Sequence, residues 1–161
     1  MNYAELLRQS YVKAAESSNP STQNGALIVN DADEVLVRAC NPFPDGIAET
    51  PERLERGLRH KIAVHAERNA VYLAARAGVK TAALTMVCGW ATCGECAQAI
   101  IQSGLKRLVT HKQTMDASGD FWMPEVELGL SLLREAGIEI IIHDGKVGAP
   151  PIRFHKEVIE F

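Results

Sequence analysis

The chain has 161 residues, 47% of them hydrophobic and 23% charged, with a formal net charge of -3 and four cysteines. That length suits one domain able to bury roughly two-thirds of its unfolded surface without disulfides, and no apolar run approaches the roughly 20 residues of a membrane helix. The acidic balance lacks the basic excess that tracks a polynucleotide backbone, so a small substrate is favoured over DNA or RNA.

The first residues, Met1-Asn2-Tyr3-Ala4-Glu5, show no basic region followed by an apolar one, so no signal peptide is expected and the cysteines are expected to be reduced in a cytoplasmic setting. Leu6, Leu7, Tyr11, Val12 and Ala15 form a helical stripe that predicts a helix over 3–18, stopped by Ser18-Asn19-Pro20-Ser21. Residues 25–29 and 35–37 are short apolar runs around Asp31-Ala32-Asp33, which predicts a β-hairpin. Pro42 and Pro44 lack the amide that a ladder needs, so 41–46 is expected to be a loop leaving a strand. Thr50-Pro51-Glu52-Arg53 has the hydroxyl, proline and acid of a helix start, and Arg53, Arg56 and Arg59 beyond it form a solvated face that could also reach a phosphate.

An alanine-rich helix is expected over 62–77, closed by Gly78, and a strand over 84–88. A turn over 89–92, a helix over 93–103, a strand over 107–110, a helix over 125–136 and a last strand over 138–142 follow. Strand and helix alternate after the hairpin, which predicts an α/β fold: a three-layer α/β/α sandwich around a mixed five-stranded sheet, in one domain over 1–161. Gly148-Ala149-Pro150-Pro151 breaks regular structure, and 148–161 is expected to pack on the body as a tail containing a short helix or strand.

Two motifs carry chemistry. Cys93 and Cys96, in Cys93-Gly94-Glu95-Cys96, share one face of a helix near its first turn, where free amides and the helix dipole favour thiolates. Alone, such a pair fits a redox couple or half of a structural zinc site as well as a catalytic one. His65 supplies a third ligand and leaves one tetrahedral position for water, the open arrangement of catalytic zinc. Glu67, two residues on, can aim at the same site without ligating and move protons there. A redox protein leaves His65 and Glu67 unexplained, and a zinc-binding regulatory protein without turnover leaves Glu67 unexplained.

His65-Ala66-Glu67 and Cys93-Gly94-Glu95-Cys96 resemble the signature of the cytidine and deoxycytidylate deaminase superfamily, His-x-Glu followed by Pro-Cys-x-x-Cys, with Thr92 where proline is expected. The resemblance is closest to the deoxycytidylate branch and runs through 22–29, 41–47, 50–54, 65–70 and 96–104. It implies one Zn2+ ion held by His65, Cys93 and Cys96, with Glu67 as the catalytic proton carrier. It also implies that Asn41 bonds the nucleoside at its sugar and that the Ala66 amide contacts the pyrimidine carbonyl. The implied reaction converts dCMP to dUMP with release of ammonia, in a homo-oligomer, dimer or hexamer. Cytidine, guanine, a riboflavin precursor or tRNA adenosine are the alternative substrates, the tRNA disfavoured by the acidic charge.

The remaining substrate candidates are departures from the family pattern. Asn24 stands where a small apolar residue is usual, Ala39-Cys40-Asn41-Pro42 replaces Gly-Tyr-Asn-Gly, and Trp90 is an aromatic in the turn ahead of the cysteines. Phe121 and Trp122 are read as either a pocket cover or a core anchor. Asn69 is read as either a substrate contact or a backbone partner. His60, His111, His143 and His155 are expected at the surface, Cys40 and Cys88 as buried thiols.

Overall fold

A computed structural model describes residues 1–161. Its core is a five-stranded sheet of order β2-β1-β3-β4-β5, made of β1 (Gly25–Val29), β2 (Val35–Cys40), β3 (Thr85–Cys88), β4 (Arg107–His111) and β5 (Glu139–His143). β1 runs antiparallel to β2 and β3, while β3, β4 and β5 are parallel. The expected mixed sheet is therefore present.

Alternation along β1 divides the core. Ala26 and Ile28 face a cluster built with α4 (Ala66–Ala77), α5 (Gly94–Gln102) and α7 (Gly119–Glu135). Leu27 and Val29 face the other cluster, which holds Leu6, Leu7 and Tyr11 of α1 (Tyr3–Ala14) together with Ile152, Phe154 and Phe161. Every β1 side chain is thus buried, as expected for a central strand. Gly25 is required where α1 crosses: a Cβ there would lie 2.0 Å from the Ser10 carbonyl oxygen.

Four expectations change in detail. α1 ends at Ala14, short of residue 18, because the Ser17 amide turns back to the Ala14 carbonyl. The stretch after Thr50 forms two short helices, α2 (Pro51–Leu54) and α3 (Arg56–Ile62), with the Arg53 amide donating to Thr50 Oγ1 at 3.4 Å. The helix expected from residue 62 begins at Ala66, because Ala63 and His65 are extended and the Val64 amide bonds the Pro42 carbonyl. The helix expected from residue 125 begins at Gly119; Pro124 lies inside it and costs one amide bond without ending it. A short helix, α6 (Lys112–Asp116), precedes it.

The tail is a two-stranded hairpin, β6 (Ile152–Phe154) and β7 (Glu157–Ile159), with His155 and Lys156 as its two-residue turn. Its Phe154 and Ile152 close the α1 face of the core.

Candidate active site

The sheet register brings the site together. Gly25 pairs with Cys40, and Ala26 pairs with both Ala39 and Cys88, so the start of β1 sits between the carboxyl ends of β2 and β3. Ligand sites in α/β sheets gather at such strand ends. Asn24, Asn41, the turn after Cys88 and the N-termini of α4 and α5 therefore meet in one place.

His65 is the N-cap of α4 in an extended conformation, and its side chain makes no cap bond. Its imidazole is left free to reach Cys93 Sγ at 3.4 Å and Cys96 Sγ at 3.5 Å through Nδ1. Cys93 is in turn the N-cap of α5, and Cys96 lies in its first turn. Potential ligand atoms of the three residues all lie within 4.8 Å of one another. The hydrogen bond from Cys96, and then His65, push the Cys93 thiol well below its ordinary value against the opposing effect of burial, and so favour its thiolate. An ion pair between Arg68 and Glu95, 2.8 Å, ties the first turns of α4 and α5 together. Sequence spacing did not reveal that pair, because it joins two helices.

Glu67 is 2% exposed on the first turn of α4, and its Oε2 has no hydrogen-bond partner. Burial pushes the carboxyl up against the opposing pull of His65. A buried polar atom without a partner is costly, so an orphan oxygen facing a cavity marks a place for a polar ligand. That cavity, about 600 Å3, is lined by Glu67, His65, Ala66 and Cys93 together with Asn24, Asn41 and Trp90. It falls within the ordinary size of a small-molecule pocket.

Asn41 accepts the Asn24 amide at Oδ1, 2.9 Å, and donates from Nδ2 to the Thr22 carbonyl, 2.8 Å. A carboxamide has two donors and two lone pairs, so one of each remains for a ligand. Asn24 donates to Cys88 Sγ at 3.3 Å and accepts the Gly25 amide at 3.1 Å. Burial raises the Cys88 thiol well above its ordinary value, and it donates to the Trp90 carbonyl at 3.1 Å. Trp90 Nε1 donates to Ser118 Oγ at 2.8 Å, while its ring meets Phe154 edge-on at 5.0 Å.

Phe121 and Trp122 line the cavity from α7, and Phe121 is 64% exposed, so it is no core anchor. Trp122 stacks on His60 at 5.6 Å and stands edge-on to His65 at 6.4 Å. Asn69 donates to the Cys40 carbonyl at 3.0 Å, anchoring α4 to β2. Two histidines depart from the surface expectation. His111 is wholly buried and His155 is half-buried with its Nε2 enclosed, while His60 is exposed at the cavity wall, as expected. Their sequence neighbours carry no motif, so only the packing reveals them.

Fold and site together define a zinc-type hydrolytic deaminase. Residues 1–112 match the family described as the cytidine and deoxycytidylate deaminase zinc-binding region. The chain belongs to this family. It is 29% identical over 127 residues to an uncharacterized deaminase in the luxG 3' region of Aliivibrio fischeri, covering 77% of this chain and 81% of that protein. It is 40% identical over 77 residues to the deoxycytidylate deaminase of Enterobacteria phage T2, covering 48% of this chain but 37% of the relative. Its fold matches that of the dCMP deaminase from cyanophage S-TIM5, solved in complex with dCMP and dUMP, with a TM-score of 0.66 at 20% identity over 85% of this chain and 93% of that one. No helix is long and apolar enough to cross a membrane.

Proposed function

We propose that the protein deaminates a cytosine mononucleotide, converting deoxycytidylate to deoxyuridylate and ammonia, with zinc held by His65, Cys93 and Cys96. One observation carries this reading: a buried carboxylate, Glu67, has an unsatisfied oxygen in the cavity that His65 and Cys93 also line, with Cys96 packed behind them. The donor set fits the ion, since the N–S edge of a tetrahedral zinc site is roughly 3.6 Å and the S···Nδ1 separations are 3.4 and 3.5 Å. When bound there, zinc supplies the Lewis acidity that makes a water nucleophilic near neutral pH.

The chain's own residues do the rest. The reaction forms a C–O bond and breaks the C–NH2 bond at the amino-bearing ring carbon. Protons must leave water and reach first the ring nitrogen and then the departing amine. Glu67 is the buried carboxylate of the cavity wall, and its unpaired oxygen is free to take and return them. Asn41 offers its remaining donor and acceptor to the sugar, and the Ala66 amide, at the first position of α4, is directed to the pyrimidine carbonyl. Asn24 and Trp90 shape the wall around the base. The phage T2 and mouse relatives are deoxycytidylate deaminases, and this chain spans 37% and 58% of their lengths, which supports the substrate class. Homo-oligomerisation belongs to the same proposal.

Ammonia release from a panel of cytosine, guanine and adenine compounds tests the substrate. The monophosphate is expected to turn over far faster than deoxycytidine, and equal rates would sink the nucleotide reading. Glu67→Gln should retain one zinc per chain while losing roughly a hundredfold or more in turnover; full activity would remove the mechanism.

A further inference from the structure

The proposed reaction uses the cavity around Glu67 and leaves a second part of its wall unassigned. Arg56, Arg59 and His60 of α3 line it, as do His155 and Lys156 from the β6–β7 turn. Arg59 is only 8% exposed, and its side chain donates to the Leu54 carbonyl at 2.7 Å. No carboxylate lies within ion-pair distance of Arg56, Arg59 or Lys156. Glu55, Asp120 and Glu125 also reach the cavity, but each is exposed to solvent. Burial, then the charges of Arg59 and Arg56, hold His60 below its ordinary value, so the field at this wall is positive. A buried guanidinium without a counter-ion is costly unless a ligand supplies the charge.

The turn adds an independent observation. His155 and Lys156 have φ of 51° and 72°, a left-handed pair that hairpin turns normally assign to asparagine and glycine. Strain of this kind persists only where surrounding structure imposes it. Here the His155 amide donates to Thr22 Oγ1 at 3.1 Å and the Lys156 amide to the Ser21 carbonyl at 2.8 Å. Both tether residues also line the cavity, and His155 Nε2 is buried without a partner. The chain therefore spends backbone strain to hold an imidazole and an ammonium at the cavity wall.

We infer that Arg59, His155 and Lys156, with Arg56 at the rim, form the subsite for the 5'-phosphate of the nucleotide and so select a monophosphate over a nucleoside. This assignment rests on the deaminase reading of the site. Two hydrogen bonds to phosphate from charged donors would satisfy Arg59, and the turn would close on the same group.

Lys156→Gly and Arg59→Gln test it in the zinc-loaded protein. Each should lower kcat/KM for the monophosphate roughly tenfold to a hundredfold and leave deoxycytidine turnover near the starting value. Lys156→Gly should also keep or raise the melting temperature, since glycine relaxes the left-handed position. An equal loss on nucleotide and nucleoside, or none on the nucleotide, would overturn the subsite. Calorimetric titration with dUMP, deoxyuridine and inorganic phosphate separates this from the reaction itself. If no cytosine compound is turned over, but dUMP binds more tightly than deoxyuridine and the variants erase the difference, the deaminase reading fails and the subsite stands. If the unaltered protein binds neither dUMP nor inorganic phosphate, the subsite is absent.

Discussion

His111 is wholly buried between α1 and the segment after β5. Its Nε2 donates to the Gly145 carbonyl at 2.8 Å, which leaves Nδ1 to accept the Tyr11 hydroxyl at 2.7 Å. That network needs the neutral ring, and burial holds the imidazole below its ordinary value of 6.5, with His143 adding repulsion. Below that value the unfolded chain takes up a proton that the folded ring refuses. The stability contributed by neutral His111 is therefore full above 6.5 and is lost as pH falls toward the depressed folded value. Melting temperatures measured between pH 8 and 5 should fall more steeply for the unaltered protein than for His111→Gln, and parallel slopes would refute this role. Glu67 is the contrasting buried acid: its surroundings leave an oxygen unpaired on a cavity, whereas both nitrogens of His111 are spent inside the core.

At the scale of elements, the cysteine turn is held from behind by α7. A Cβ added at Gly129 would lie 2.1 Å from the Thr92 carbonyl oxygen and 2.9 Å from the Cys93 carbonyl carbon. Backbone cannot yield there without moving the turn that carries Cys93. Thr92, which stands where the family pattern has proline, is itself wholly buried in this contact. Gly129→Ala should cost about 1–3 kcal/mol and weaken zinc affinity in a chelator competition. Gly94→Ala is the control, because its Cβ meets only the flexible end of Leu128 at 3.2 Å. Equal zinc affinity for the two variants would show that α7 does not position the turn.

The C-terminal hairpin couples the site to the molecule as a whole. Ile152, Phe154 and Phe161 complete the core on the α1 face, while His155 and Lys156 reach the cavity. Losing three such buried side chains costs on the order of 10 kcal/mol, comparable with the entire stability of an ordinary domain. Deleting 148–161 should therefore abolish the cooperative unfolding transition seen by calorimetry and near-ultraviolet circular dichroism. A truncated chain that melted normally would show the hairpin to be an appendage and would remove the single-domain reading.

Local spacing made several features legible in the sequence. His65 and Glu67 fall at one helix start, as N-cap and first-turn residue, and Cys93 and Cys96 at another, where a spacing of three puts both sulfurs on one face. The mixed sheet was legible from alternating strand and helix patterns, apart from the ends of α1, α4 and α7. Those ends depend on contacts such as that of Val64 with Pro42, which link residues far apart in sequence. Only the antiparallel register of β1 decided that Asn24 meets Asn41 and Cys88. Only packing decided that Arg59 is buried without an acid, and that His155 and Lys156 share a cavity with Glu67 some 90 residues earlier in the chain. The sequence by itself determined the candidate reacting groups, since their spacing is local. The basic wall of the cavity was decided by tertiary structure, because long-range register and burial set which charges go unpaired.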